Sequence, residues 1–131
     1  MVDYLQQTLR LEQQQKMMIR VSYVEVSGEC VTDLLSIRRN AKPHIVDKHG
    51  REAEMKDVEM KSIQHIQDIE TQYILGNRKR SLAYSKKYRK REDSTAVFML
   101  RVEVSDKKGN VRRGRFDLVD LAASEVVSRL E

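Results

Sequence analysis

The stretch RFDLVDLAASE, Arg115–Glu125, decides how the rest of the chain is read. Phe116, Leu118, Val119 and Leu121 form an apolar run too continuous for a strand with one wet face, which predicts a strand covered on both sides, as in an α/β sheet. Asp120 falls near the C-terminal end of that strand. Ligands of open α/β sheets bind beyond that end, and an acid there commonly holds a metal ion or its water. The competing role for Asp120 is to cap a helix beginning at Ala122.

The residues after the strand favour the first role. DLAASE, Asp120–Glu125, resembles the D-L-A-G-S-E switch II motif of kinesin motor domains, and the apolar Leu118–Val119 precedes it as in that family. Two further segments are similar to the same family, in the family's order. SYVEVSGECVTDLLS, Ser22–Ser36, resembles its S-Y-x-E-I-Y-N-E-x-x-x-D-L-L strand and helix. LGNRKRSLAYSKKYRKREDSTAVFMLRVE, Leu75–Glu103, aligns without a gap on its L-G-N-R-x-R-x-x-A-x-T-x-M-N-x-x-S-S-R-S-H-x-x-F-x-L-x-V segment. The resemblance implies an α/β fold: a partial kinesin-like mixed β-sheet flanked by helices, truncated at both ends. Residues 1–131 are then one partial motor-like domain, with 77–94 as a basic loop in the switch I region and 115–125 as the switch II-like strand and loop.

Composition agrees with one soluble, cytosolic domain. The 131 residues are 40% hydrophobic and 34% charged, within the globular range. No run approaches the ~20 apolar residues that span a bilayer, and MVDYLQQTLR lacks a signal-peptide apolar block, so no membrane partner is expected. The single Cys30 cannot form an internal disulfide and is expected as a small core residue. The net charge of +5 is concentrated in Arg78, Lys79, Arg80, Lys86, Lys87, Arg89, Lys90 and Arg91. A polyanion, either the acidic surface of a microtubule or nucleic acid, fits such a segment.

Local patterns predict the remaining elements. Asp3–Met17 reads as a helix with a thin apolar side, and Met18–Val26 as a strand rich in β-branched residues. Cys30–Leu35 is expected to make a short helical turn, Ile37–Glu54 a loop or loose hairpin, and Met55–Met60 a strand with Val58 and Met60 inward. Ser62 is a candidate N-cap for a helix with Ile63, Ile66, Ile69, Tyr73 and Ile74 on one side, ended by Gly76 as a C′ glycine. Ala96–Val104 is a strand, Ser105–Gly114 a charged hairpin turn, and Ser124–Leu130 the start of a helix. His44 and His49 lack ligand spacing and an accompanying acid cluster, His65 reads as a surface residue, and no metal site is expected.

The departures from the family bear on chemistry. The resemblance implies Mg-ATP, held by a G-x-x-x-x-G-K-[ST] loop, and no such loop occurs in these residues; the chain is expected to begin after it. In switch I, where the family has N-x-x-S-S-R-S-H, the corresponding positions run from Tyr88 to Thr95, and among the family's fixed residues only Ser94 matches. Arg91 and Glu92 replace the two serines that reach the magnesium ion and terminal phosphate. Asp93 replaces the arginine that pairs with the switch II glutamate, here Glu125, turning attraction into repulsion. Ala123 stands where the family's glycine approaches the phosphate. Ser94, Asp120 and Ala123 are therefore nucleotide-site remnants, Asp120 and Glu125 vestigial catalytic acids, and the expectation is no cofactor. Catalysis is the activity these residues support least.

Three functions remain as expectations: an ATP-independent pseudo-motor bound to microtubules or to a kinesin-related chain, a basic nucleic-acid-binding module, or a fragment of a longer kinesin-like motor. The family's strand before the Gly-rich loop would flank the switch II strand, so Phe116–Leu121 is also expected to present an open apolar edge that invites self-association.

Overall fold

The computed structural model describes residues 16–38, 42–47, 50, 53–87 and 94–122, with the backbone alone over 82–87. Most of the expected N-terminal helix and all of the expected C-terminal one lie outside these residues, as do His49, Arg89, Lys90, Arg91, Ala123 and Glu125. Among the described residues, seven strands and one helix follow in order: β1 Lys16–Ser27, β2 Cys30–Asp33, β3 His44–Val46, β4 Glu54–Lys56, β5 Lys61–Ile63, α1 Ile66–Lys87, β6 Thr95–Ser105 and β7 Val111–Asp120. The main sheet runs β2-β1-β6-β7, with β5 also on β1, and β3 and β4 form a separate ribbon. Each described pairing is antiparallel.

β1 begins at Lys16, so the predicted helix over 3–17 does not include its last two residues. Val21, Tyr23 and Glu25 alternate toward α1, and β6 answers with Ala96, Phe98 and Leu100 at the paired positions. The outer edge of β1 is shared: β2 pairs with Val24–Ser27 and β5 with Ile19–Val21. The expected helical turn at Cys30–Leu35 is instead strand β2 followed by a side-chain-built turn. Asp33 Oδ1 accepts from the backbone N–H of Leu35 and Ser36, both at 2.9 Å, and Oδ2 accepts from Glu59 N–H at 2.6 Å. This Asx turn satisfies the backbone without a helix. Cys30, expected in the core, is exposed at the start of β2.

The core is an aromatic cluster under α1. Tyr23 stacks on Tyr73 with centroids 5.6 Å apart, and Phe98 meets both rings edge-on at 5.3 and 5.5 Å. Such pairs add about 0.5–1.5 kcal/mol each beyond their buried area. Of the expected helical stripe, Ile69 and Tyr73 pack on this cluster, as does Ile63 from β5. Ile66 is 74% exposed and Ile74 is also exposed.

Helix α1 differs from expectation at both ends. Ser62 lies in β5; the capping group is the Asp68 carboxylate, which accepts from His65 N–H at 2.9 Å. Gly76 does not end the helix, which continues to Lys87. A Cβ at Gly76 would sit 2.2 Å from Tyr23 Cδ1, so this glycine lets the helix press against the ring. Tyr23 OH then donates to Asn77 Oδ1 at 2.8 Å, fastening the next turn.

β6 and β7 form the predicted hairpin. The Asp106 carboxylate accepts from the backbone of Lys108 and Asn110, and Gly109 supplies a positive φ of 83°. β7, however, is not the doubly covered strand that its apolar run suggested. All ten of its residues are exposed, and β6 is its sole strand neighbour among the described residues. Among the described residues no strand pairs with the outer edge of β7, and Phe116 is 63% exposed.

Candidate functional site

Strand register assembles the site. Glu25 on β1, Ala96 on β6 and Asp120 on β7 are successive cross-strand partners, so all three face α1 in one row. The two acids flank a residue with almost no side chain. The gap over Ala96 admits the head of Arg80, which descends from α1 four residues after Gly76.

The guanidinium bridges the row. Arg80 Nε donates to Glu25 Oε1 at 3.1 Å, and Nη1 donates to Asp120 Oδ2 at 2.7 Å. Nη2 donates to both the carbonyl and the hydroxyl oxygen of Ser94 at 3.1 Å. Ser94 Oγ in turn donates to Glu25 Oε1 at 2.7 Å. Arg80 is 1% exposed, and Glu25 and Ser94 are buried, whereas the Asp120 side chain is 59% exposed. Burial is the largest influence on Arg80 and acts against its charge. The bonds to Asp120 and Glu25 together outweigh it and hold the pKa above the ordinary arginine value. The cluster contains a cation between two anions, each charge partnered, as a buried arrangement requires.

The two matched residues, Ser94 and Asp120, are therefore brought together, though by a residue expected to serve elsewhere. The basic segment is not a loop over 77–87: Arg78, Lys79, Arg80, Lys86 and Lys87 lie on α1. Arg80 turns inward, and Lys79 Nζ donates to the carbonyls of Asp33 and Ser36 at 2.7 Å each. Arg78 is exposed. Two of the proposed polyanion contacts are thus internal ties.

Glu25 was missed by sequence reasoning, yet a signal existed. It continues the inward positions Val21 and Tyr23 of β1, and an acid on a core face demands a buried cation. Likewise Ile69, Tyr73, Gly76 and Arg80 recur at four- and three-residue spacing. Carried through Gly76, that periodicity puts Arg80 on the inward face.

Among the described residues no three His, Cys, Asp or Glu side chains are grouped to hold a metal ion, and no helix is long and apolar enough to cross a membrane. The sheet and the helix over it have counterparts among known proteins. The kinesin motor domain model matches residues 1–131. The chain belongs to the kinesin motor domain family. Kinesin-like protein KIF3C from Pongo abelii, Mus musculus and Rattus norvegicus is in each case 29% identical over 117 residues, covering 86% of this chain and 15% of the relative. The chain thus spans about a seventh of the length of these kinesin-like relatives. The solved structure of a fast kinesin superposes with a TM-score of 0.81 over 94% of this chain and 35% of that one; at 23% identity this shows the fold alone.

Proposed function

We propose that this kinesin-family chain is a non-motile, ATP-independent module that binds microtubules or a kinesin-related chain. The observation that carries the reading is that Arg80 engages Asp120, the acid at the strand end. A magnesium-nucleotide site needs that carboxylate for the cation or its water. Here Asp120 already faces a guanidinium. These residues do not fit Mg-ATP. The sequence supports the same conclusion through Arg91 and Glu92 in place of serines, Asp93 in place of the arginine that pairs with the switch II glutamate in the family, and Ala123 in place of glycine. A cytoplasmic, cytoskeleton-associated location follows from this reading.

The test is co-pelleting of the purified chain with microtubules in ATP, in ADP and without nucleotide, alongside Mg-ATP hydrolysis. The expected result is a pelleted fraction that does not change with nucleotide, and no hydrolysis stimulated by microtubules. Stimulated hydrolysis that disappears in Asp120→Ala would overturn the proposal and favour a working segment of a longer motor. Nucleic-acid binding is the weaker alternative, because the inward Arg80 and the tethered Lys79 shorten the basic segment that motivated it.

A further inference from the structure

The sheet face turned away from α1 carries a second charged row, unconnected with the Arg80 cluster. Arg20 on β1 pairs in register with Arg101 on β6, and Arg101 pairs with Arg115 on β7. Three guanidinium side chains therefore leave adjacent strands side by side, with Cα atoms about 4.5–5.5 Å apart at each step. Like charges directly opposite one another destabilise a sheet. Their compensation within the chain is uneven.

Arg115 is paired with Asp117, Nε to Oδ1 at 2.9 Å, and the flanking Arg113 donates to Glu103 at 3.0 Å. Among the described residues Arg20 has only the Met18 thioether, at 3.2 and 3.0 Å from Nε and Nη2, which is a weak acceptor without charge. Neither Arg20 nor Arg101 has a carboxylate within ion-pair distance among the described residues. Both border a groove of about 290 Å³ whose walls include Met18 and Met60. Glu103, which lines the same groove, is held by Arg113.

We propose that this groove is a binding site for a phosphate monoester. A phosphate dianion carries two charges, matching Arg20 and Arg101, and its terminal oxygens suit two guanidinium forks at once. A single carboxylate would neutralise only half of the pair. The methionines supply a polarisable apolar wall for the organic part of the ester. The groove is distinct from the Arg80 cluster: Arg115 lies five residues from Asp120, roughly 17 Å along the strand, and on the opposite face.

The experiment is calorimetric titration of the whole chain with phenyl phosphate and, separately, inorganic phosphate, with thermal melts at each end point. Phenyl phosphate is expected to saturate one site and raise the melting temperature. Arg20→Gln combined with Arg101→Gln is expected to weaken it at least about tenfold, while Arg112→Gln, on the other face, leaves it unchanged. Because a like-charge contact is removed, the double variant is expected to melt no lower than the parent without ligand, and its thermal melt checks that it folds. Equal affinity for inorganic phosphate would support the anion site and make free phosphate its occupant. Absence of saturable binding to the parent chain, or equal binding by the double variant, would overturn the proposal.

Discussion

Arg80 Nη1 lies 2.7 Å from Asp120 Oδ2, joining a buried guanidinium to a carboxylate that is more than half exposed. The asymmetry decides what each residue contributes. Arg80→Met would leave Glu25 buried without its cation, at a cost of about 3–5 kcal/mol. Asp120→Asn removes a solvent-screened partner and should cost less than about 1 kcal/mol. Urea unfolding of the two variants checks this. Equal losses would mean that Asp120, not Glu25, anchors the cluster.

Gly76→Ala should destabilise the chain, against the usual sign for a glycine inside a helix. Helix propensity alone favours alanine by about 1 kcal/mol. The new methyl would stand 2.2 Å from Tyr23 Cδ1, in a ring already stacked on Tyr73 and set edge-on to Phe98. Overpacking of this kind costs about 1–3 kcal/mol, enough to cancel or exceed the propensity gain. A lowered melting temperature, with reduced near-ultraviolet ellipticity from the tyrosines, is the expected outcome. A raised one would show that the helix shifts freely over the sheet.

That same glycine marks where the sequence was legible and where it was not. β1, β6 and the β6–β7 hairpin were readable because β-branched alternation and a Gly-Asn turn are local signals. Gly76 is ambiguous locally, since a C′ cap and a close-packed helix both select glycine for its missing Cβ. Only Tyr23, more than fifty positions earlier, distinguishes them. Arg80 looked like part of a charge run because its partners, Glu25 and Asp120, come from two other strands. The exposure of β7 is likewise a property of its neighbours and not of its own apolar residues.

The hairpin turn carries a pH dependence. The Asp106 carboxyl is held below the ordinary aspartate range, first by the Asn110 side chain, then by Asn110 N–H, with Lys108 N–H adding to it. A carboxylate depressed in the folded state contributes stability above its unfolded pKa, and that stability is lost as pH falls through the folded value. The melting temperature should therefore fall as pH drops below about 4. Asp106→Asn should flatten that part of the profile and leave the neutral-pH dependence unaltered. Glu59, lowered chiefly by its bond to Lys61, titrates in the same direction, so some slope will persist.

The edge of β7 makes the last prediction. Phe116 and Leu118 face the α1 side, beside a largely apolar groove of about 340 Å³ that includes Ile66, Ile69 and Tyr73. Along the same strand, Arg112 and Arg115 precede Asp117 and Asp120. Two such edges run antiparallel about Phe116 would set each Arg115 opposite the other chain's Asp117, and each Arg112 opposite its Asp120. The backbone gains hydrogen bonds and the charges alternate favourably. The chain should sediment as a concentration-dependent dimer. Phe116→Lys should shift it toward monomer by placing two like charges at the centre of the pairing. A parent chain that stays monomeric at high concentration would show that this edge does not pair with itself.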